Sequence, residues 1–463
     1  MMQEMEDMEG KFLPENIRYM VESMSQYSRN RFRLETVSAD TASAGRIVTV
    51  NLPEGALLDL SSFRWHFDVL TTRVGDAGDV DTVYAKLPND AQTLIQRVEV
   101  NMNGIAVGGQ GANEWNTIYA MKKLGHSSLD RATSVDRALS HGEIDTGDTV
   151  DDESLVVADW VGFLGAAERS TRFLDTSIWG QIQVRITLAP NSVLVPKVHA
   201  VPLGTPLGTA ALLAKAEAMS YSISNIYFTI DSISVNPIYN RMLRDRLQSD
   251  DFLPLNYKDQ YAFSLDNITS GASTTRFSLS SGSIDGIYGV YRDSNYTSVG
   301  VVPKSLTGVG GAFVANYLRF RSYDSSVKKA GTFRENFSIN NIQVPQYAAT
   351  IMDCLADVSY VPDKVGMGAQ GTLVTSKEGF HDGRFLCSQI LNHPCKHGVA
   401  VMSGVNSRGI NTMMTWQVRG QVIPAAEPAP AGQGTTSSIS AFVMLDTTAQ
   451  LRAGIGKNIV SLA

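Results

Sequence analysis

Val98-Glu-Val-Asn-Met-Asn-Gly-Ile-Ala-Val107, followed by a glycine-rich step and the helical pattern Glu114-Trp-Asn-Thr-Ile-Tyr-Ala-Met-Lys-Lys-Leu124, decides the reading of this chain because it occurs twice. The second copy is Phe337-Ser-Ile-Asn-Asn-Ile-Gln-Val344, followed by a proline and the pattern Gln346-Tyr-Ala-Ala-Thr-Ile-Met-Asp-Cys-Leu355. In each copy a short alternating strand meets an Asn-rich turn, a second short strand ends in Val, and a helix is predicted to start. Asn and Gly favour such turns because both tolerate positive φ.

The spacing persists along the chain. Val344 minus Val107 is 237. Ser170-Thr-Arg172 is echoed by Asn406-Ser-Arg408, and Arg408 minus Arg172 is 236. Gln183-Val-Arg185 is echoed by Gln417-Val-Arg419, and Arg419 minus Arg185 is 234. A nearly constant offset in one order predicts a tandem duplication. The 463 residues suit two domains of roughly 200 residues each.

Composition narrows the class. Hydrophobic residues reach 43%, enough for sizeable cores, while charged residues are only 18% and Gly numbers 39. Low charge with abundant Gly, Ser and Thr favours an all-β chain with many turns, or one that buries surface against copies of itself. The net charge of −7 argues against a dedicated nucleic-acid binder and against adhesion to anionic membranes. The acidic N-terminus lacks an apolar h-region, so no secretory signal is predicted. No apolar run approaches the roughly 18 residues of a membrane span. Cys354, Cys387 and Cys395 form no metal-type pair, and reduced thiols are the simplest expectation.

The chain divides into an N-terminal arm (1–30), a first β domain (31–236), a linking helix (237–250) and a second β domain (251–463). Strands are predicted at Arg46–Asn51, Phe63–Leu70, Leu94–Met102, Val156–Leu164, Gln181–Leu188 and Tyr221–Val235. In the second of these, Phe63, Trp65, Phe67 and Val69 share one face, the period of a half-buried strand. Ile238, Tyr239, Met242, Leu243 and Leu247 share a helical face that joins the domains. In the second domain, strands are predicted around Tyr261, Thr275–Ser280, Ile284–Arg292, Phe333–Val344, Arg384–Ile390, Met413–Val422 and Ile439–Leu445.

The chemistry-bearing candidates are few. His393, Cys395 and His397 alternate in His393-Pro-Cys395-Lys-His397, with Cys387 nearby, but a structural zinc site usually takes four correctly spaced ligands. An ordinary loop is the stronger reading. Gly108-Gly-Gln-Gly111 lacks the Lys-Ser/Thr ending of a phosphate-binding loop, and position 114 is Glu where a dinucleotide fingerprint needs Gly. No nucleophile elbow, zinc-protease or His-x-His motif occurs. His66, between Trp65 and Phe67, is expected on the opposite face of its strand. No catalytic, cofactor or metal residue is assigned.

Several stretches carry a resemblance: Leu52-Pro-Glu-Gly with Leu58-Asp-Leu-Ser-Ser-Phe63, Leu94-Ile-Gln-Arg-Val-Glu-Val-Asn-Met-Asn-Gly104, Ile223 to Leu247, Phe333 to Pro345, and Ser403-Gly-Val-Asn-Ser-Arg-Gly409. They resemble the double-jelly-roll major capsid proteins of icosahedral double-stranded DNA viruses, most closely those of virophages and polinton-like viruses. The resemblance implies an all-β fold of two tandem eight-stranded jelly rolls with short inserted helices. It implies a pseudo-hexameric homotrimer that tiles a virion shell, assembled inside the host cell. Partners would be neighbouring capsomers, minor capsid or penton proteins, and an inner layer met by the arm; no sequence-specific nucleic-acid binding is implied. The alternatives are a carbohydrate-binding or hydrolytic β-sandwich and a minor virion protein.

Overall fold

The computed structural model describes residues 28–76, 79, 81–88, 90–109, 113–124, 149–165, 173–199, 210–235, 237–250, 252–294, 296–297, 317, 319–326, 329–358, 377–392, 403–409, 412–423, 438–454 and 459–462. In the first half the principal strands are β1 (Ser28–Glu35), β2 (Ile47–Asn51), β3 (Leu57–Thr71), β4 (Ile95–Met102), β5 (Ile105–Gly108), β6 (Asp152–Val157), β7 (Ile182–Leu188) and β8 (Tyr221–Ser234). In the second they are β9 (Phe252–Ile268), β10 (Ala272–Ser278), β11 (Ile284–Asp293), β12 (Arg334–Ile339), β13 (Ile342–Ala349), β14 (Cys387–Ile390), β15 (Met413–Arg419) and β16 (Ile439–Gly454). Helices α1 (Trp115–Leu124), α2 (Ala210–Glu217), α3 (Pro237–Asp250) and α4 (Ile351–Asp357) punctuate them.

The two halves repeat one topology. In the first, β1-β8-β3-β6 forms one sheet and β2-β7-β4-β5 the other. In the second, β9-β16-β11-β14 faces β10-β15-β12-β13. Each strand therefore has a counterpart eight strands later, and every described pairing between them is antiparallel. First and last strands lie side by side in each half, so each sandwich closes on its own ends.

Local chemistry explains the strands. On β3, Phe63, Trp65, Phe67 and Val69 are buried while Arg64, His66 and Asp68 are partly exposed. Each buried large side chain contributes about 1.5–3 kcal/mol, and Phe228 of β8 stacks on both Phe63 and Trp65. His66 does lie on the other face, where its ring stacks on Tyr227 at 4.5 Å. Burial, then Arg64, Arg31 and Arg33, lower its pKa.

The duplicated hairpins are alike in backbone as well as sequence. Asn103 and Gly104 join β4 to β5 with φ of 48° and 83°, and Asn340 and Asn341 join β12 to β13 with φ of 48° and 69°. Met102 pairs with Ile182 on β7, and its counterpart Ile339 pairs with Met414 on β15. Those pairings set the offset between β7 and β15 at 414 minus 182, or 232. The Gln-Val-Arg echo, at 234, lies on the correct strands but two residues out of register, which preserves the face. The Ser170–Arg172 member of the other echo lies outside the described residues.

Two predicted elements change. The strand expected at Val156–Leu164 ends at Val157, and Gly162–Leu164 is a 3-10 turn entered through Gly162 at φ 85°. The helix expected from Gln346 starts at Ile351, because β13 continues to Ala349. Thr350 and Asp353 form a reciprocal capping box that sets this start.

Gly109, φ 80°, follows β5, and a Cβ there would lie 1.7 Å from the Val98 carbonyl oxygen. Gly104 also has positive φ, but a Cβ there meets nothing within 4 Å. Gly104→Ala should therefore cost about 1 kcal/mol in backbone strain alone. Gly109→Ala must displace a neighbouring strand and should cost at least ~3 kcal/mol. Urea midpoints of the two variants check the contrast; equal midpoints would refute it.

Candidate functional site

The joint between the halves buries several polar and charged side chains, among them Asp259, Gln260, Arg292 and Asp446. Helix α3 is the covalent link between them. The packed contact runs instead through β5, α1 and the 3-10 turn at Gly162–Leu164, all of the first half. These meet β9, β11 and β16 of the second. Tyr257 of β9 donates its hydroxyl to the Val107 carbonyl at 2.5 Å, and its ring meets Phe163 edge-on at 5.2 Å. The Gly109 N–H donates to Asp259 Oδ1 at 3.3 Å.

Two charge clusters flank this contact. Arg292 of β11, only 1% exposed, reaches across to Glu114 at 2.7 Å and donates to Thr117 Oγ1 at 3.3 Å. Its guanidinium lies 3.4 Å from the Tyr296 ring centroid, and the Tyr296 hydroxyl donates to Glu114 at 3.1 Å. In the second cluster, Lys122 of α1 meets Asp446 of β16 at 3.2 Å. Lys258 and Gln260 converge on the same carboxylate at 3.8 and 3.0 Å, and Lys258 also pairs with Asp285. Burial acts to raise the pKa of Asp446, but Lys122 and Lys258 outweigh it and hold the group below its ordinary value. Burial raises Asp259 to about 6, against the Gly109 and Gln260 backbone donors.

The joint has an open counterpart. Strand β9 is covered by the first half, with Leu255, Tyr257, Asp259 and Gln260 buried. Its counterpart β1 is exposed over nearly its whole length, Phe32 at 43%. In the second half's own counterpart of the covering segment, β13 is likewise largely exposed, with Ile342 at 65% and Tyr347 at 57%.

A second buried polar group lies inside the second half. Glu335 of β12, Cys354 of α4 and Cys387 of β14 bring their ligand atoms within 4.8 Å of one another. The Trp416 indole donates to Glu335 Oε2 at 3.0 Å, and the Cys354 thiol to Oε1 at 3.8 Å. The two sulfurs lie 3.6 Å apart. Burial raises Glu335 to about 7 and Cys387 well above its ordinary value. The Cys387 contact lowers Cys354, but burial and nearby carboxylates outweigh it, giving about 11. His393, Cys395 and His397 lie outside the described residues, and Cys387 faces Cys354 and Glu335. Spacing alone gave no signal for this cluster, because its members lie on three separate elements. Within the glycine-rich step, Gly109 serves strand packing, and Gln110 and Gly111 lie outside the described residues.

The chain matches no family model and no curated protein. It does match solved structures. A chain of the PBCV-1 virus capsid quasi-atomic model aligns with a TM-score of 0.58 over 95% of this chain and 97% of that one, at 13% identity. PBCV-1 VP54, as fitted into a cryo-EM reconstruction of the virophage Sputnik, aligns with the same TM-score, coverage and identity. The fold is a double jelly roll. In that frame β1–β8 form the first roll, β9–β16 the second, and α1 is the helix inserted after the fourth and fifth strands of the first roll.

Removing one member of the Arg292–Glu114 pair leaves the other buried without its partner. Arg292→Met should destabilise by about 3 kcal/mol, and a double-mutant cycle with Glu114→Gln should return a coupling of roughly 1–3 kcal/mol. Additive urea-denaturation effects would rule out the pair as the clamp. Asp259 supplies a pH test. Its folded pKa, about 6, lies above the ordinary 3.8, so its stabilising contribution is full below that ordinary value and is lost as pH rises through about 6. Relative to Asp259→Asn, the wild type should lose on the order of 3 kcal/mol between pH 4 and 7. Parallel stability–pH curves for the two proteins would contradict this.

Proposed function

We propose that this chain is the major capsid protein of an icosahedral double-stranded DNA virus. Three copies form a pseudo-hexameric capsomer, and capsomers tile the virion shell after assembly in the host cell. The observation that carries this reading is the pair of rolls clamped into one block, with the clamp's counterpart surfaces left bare. A ring of three chains would repeat the contact between rolls at every junction. Within a chain, the first roll covers β9 of the second. Between chains, β13 and α4 of the second roll would cover the exposed β1 of the next first roll. Such head-to-tail contacts close into a ring when the rotation fits. The match to a chain of the PBCV-1 virus capsid supports the same reading.

The role is mechanical: modest interfaces sum over many copies. Minor capsid or penton proteins and an inner layer contacted by residues 1–30 are the further partners proposed.

Light scattering of the purified protein should give three times the chain mass, and negative-stain images of that peak should show a hexagonal outline. Phe32→Glu and Tyr347→Glu should each shift the mass to that of a monomer with the fold intact by circular dichroism. A monomeric wild type would sink the proposal and favour a binding or hydrolytic sandwich.

A further inference from the structure

We infer that Glu335, Cys354 and Cys387 form a binding site for one thiophilic divalent metal ion of the zinc class. The three donors come from β12, α4 and β14, and their side chains belong to residues 4%, 1% and 0% exposed. Their spacing suits such an ion. A tetrahedral zinc with Zn–S near 2.3 Å and Zn–O near 2.0 Å places its sulfur ligands about 3.8 Å apart and sulfur and oxygen about 3.5 Å apart. The observed separations are 3.6 Å between the sulfurs and 3.8 Å from Cys354 Sγ to Glu335 Oε1.

The duplication supplies an independent argument. Through the hairpin equivalence, Glu335 occupies the position of Val98 in the first roll: 335 minus 98 is 237, the offset between Ile339 and Met102. Both positions are buried on the core face. One of two equivalent core positions holds a carboxylate where the other holds an apolar side chain, and a buried charge is costly unless something pairs with it. Asp357 and Asp353, both acidic, act on Glu335. A divalent cation is the partner that this concentration of acidic and thiol groups lacks. The Trp416 donor fixes Oε2 and turns Oε1 toward the sulfurs, the kind of outer contact that orients a metal ligand.

Binding would release to solvent the two thiol protons and the proton of any neutral Glu335, leaving two thiolates and one carboxylate on the ion with the fourth position to a water. It would tie α4 to β12 and β14, stapling the element after the β12–β13 hairpin onto the strand pair β11–β14. Because α4 lies on the surface proposed to cover the neighbouring β1, the staple would brace one side of that contact. The site itself does not depend on the capsid reading.

The test uses the full chain, reduced and stripped with a chelator, then titrated with Co²⁺. The expected result is one equivalent bound, with a thiolate-to-cobalt charge-transfer band and the intense visible bands of tetrahedral cobalt, both erased by added Zn²⁺. Cys354→Ser and Cys387→Ser should lose the charge-transfer intensity. Glu335→Gln should keep a thiolate band but bind at least roughly tenfold more weakly. Cys395→Ser should bind as wild type does. If the cysteine variants fail to fold, the wild-type spectrum still decides. No charge-transfer band in the wild type would mean a thiol–carboxylate hydrogen-bond chain only. Loss of the band in Cys395→Ser would move the site to the His393–His397 segment. A mass lower by two hydrogens, with two thiols lost to alkylation, would mean a disulfide. Each of these three outcomes overturns the proposal, and none bears on whether the chain forms trimers.

Discussion

The arrangement of the molecule depends on burying charge between the two rolls. Arg292 lies on the face of β11 turned away from the second roll's own core, buried against the first roll, where its carboxylate partner Glu114 sits. Separating the rolls would leave a guanidinium surrounded by Tyr296, Tyr317 and Phe442 without its counter-ion. Asp446 is in the same position, since one of its two lysine partners, Lys122, comes from the first roll. Charges of this kind contribute little net stability but make one relative placement of the rolls far better than its alternatives. Hydrophobic burial builds each sandwich, and the charged clusters orient one against the other.

The duplication has been used unequally. Both rolls keep the same strand order and the same positive-φ hairpin, because those features close a sandwich. Their outer surfaces have diverged. The helix of the first roll begins at Trp115 and carries Lys122 to the second roll. The helix of the second roll is shorter, capped by Thr350 and Asp353, and carries Cys354 inward instead. The same insertion point thus serves as a clamp in one roll and as part of a buried polar centre in the other. The exposed β1 and covered β9 express the same asymmetry in the strands.

Much of this was legible in the amino-acid order. Alternation on β3, the Asn-rich hairpins and the repeat spacing near 237 follow from local chemistry, because strand period and turn conformation are set by neighbouring residues. The two-roll architecture follows from them. Local patterns compete at two places. Gln346 to Ala349 carries a helical spacing, yet sheet pairing with Glu335 extends the strand and the capping box delays the helix. The Gln-Val-Arg echo marked the right strands and missed their register, since an even slip keeps the same face and leaves no local trace.

What the sequence by itself determined is therefore the class of fold, its duplication and most of its strands. Only the tertiary structure decided which residues meet. Arg292 and Glu114 are 178 positions apart, Lys122 and Asp446 still further, and Glu335 gathers two cysteines from different elements. Secondary structure is written in short-range periodicity, whereas a buried ion pair or a metal-like donor set is made by distant segments whose approach is settled by packing the whole chain.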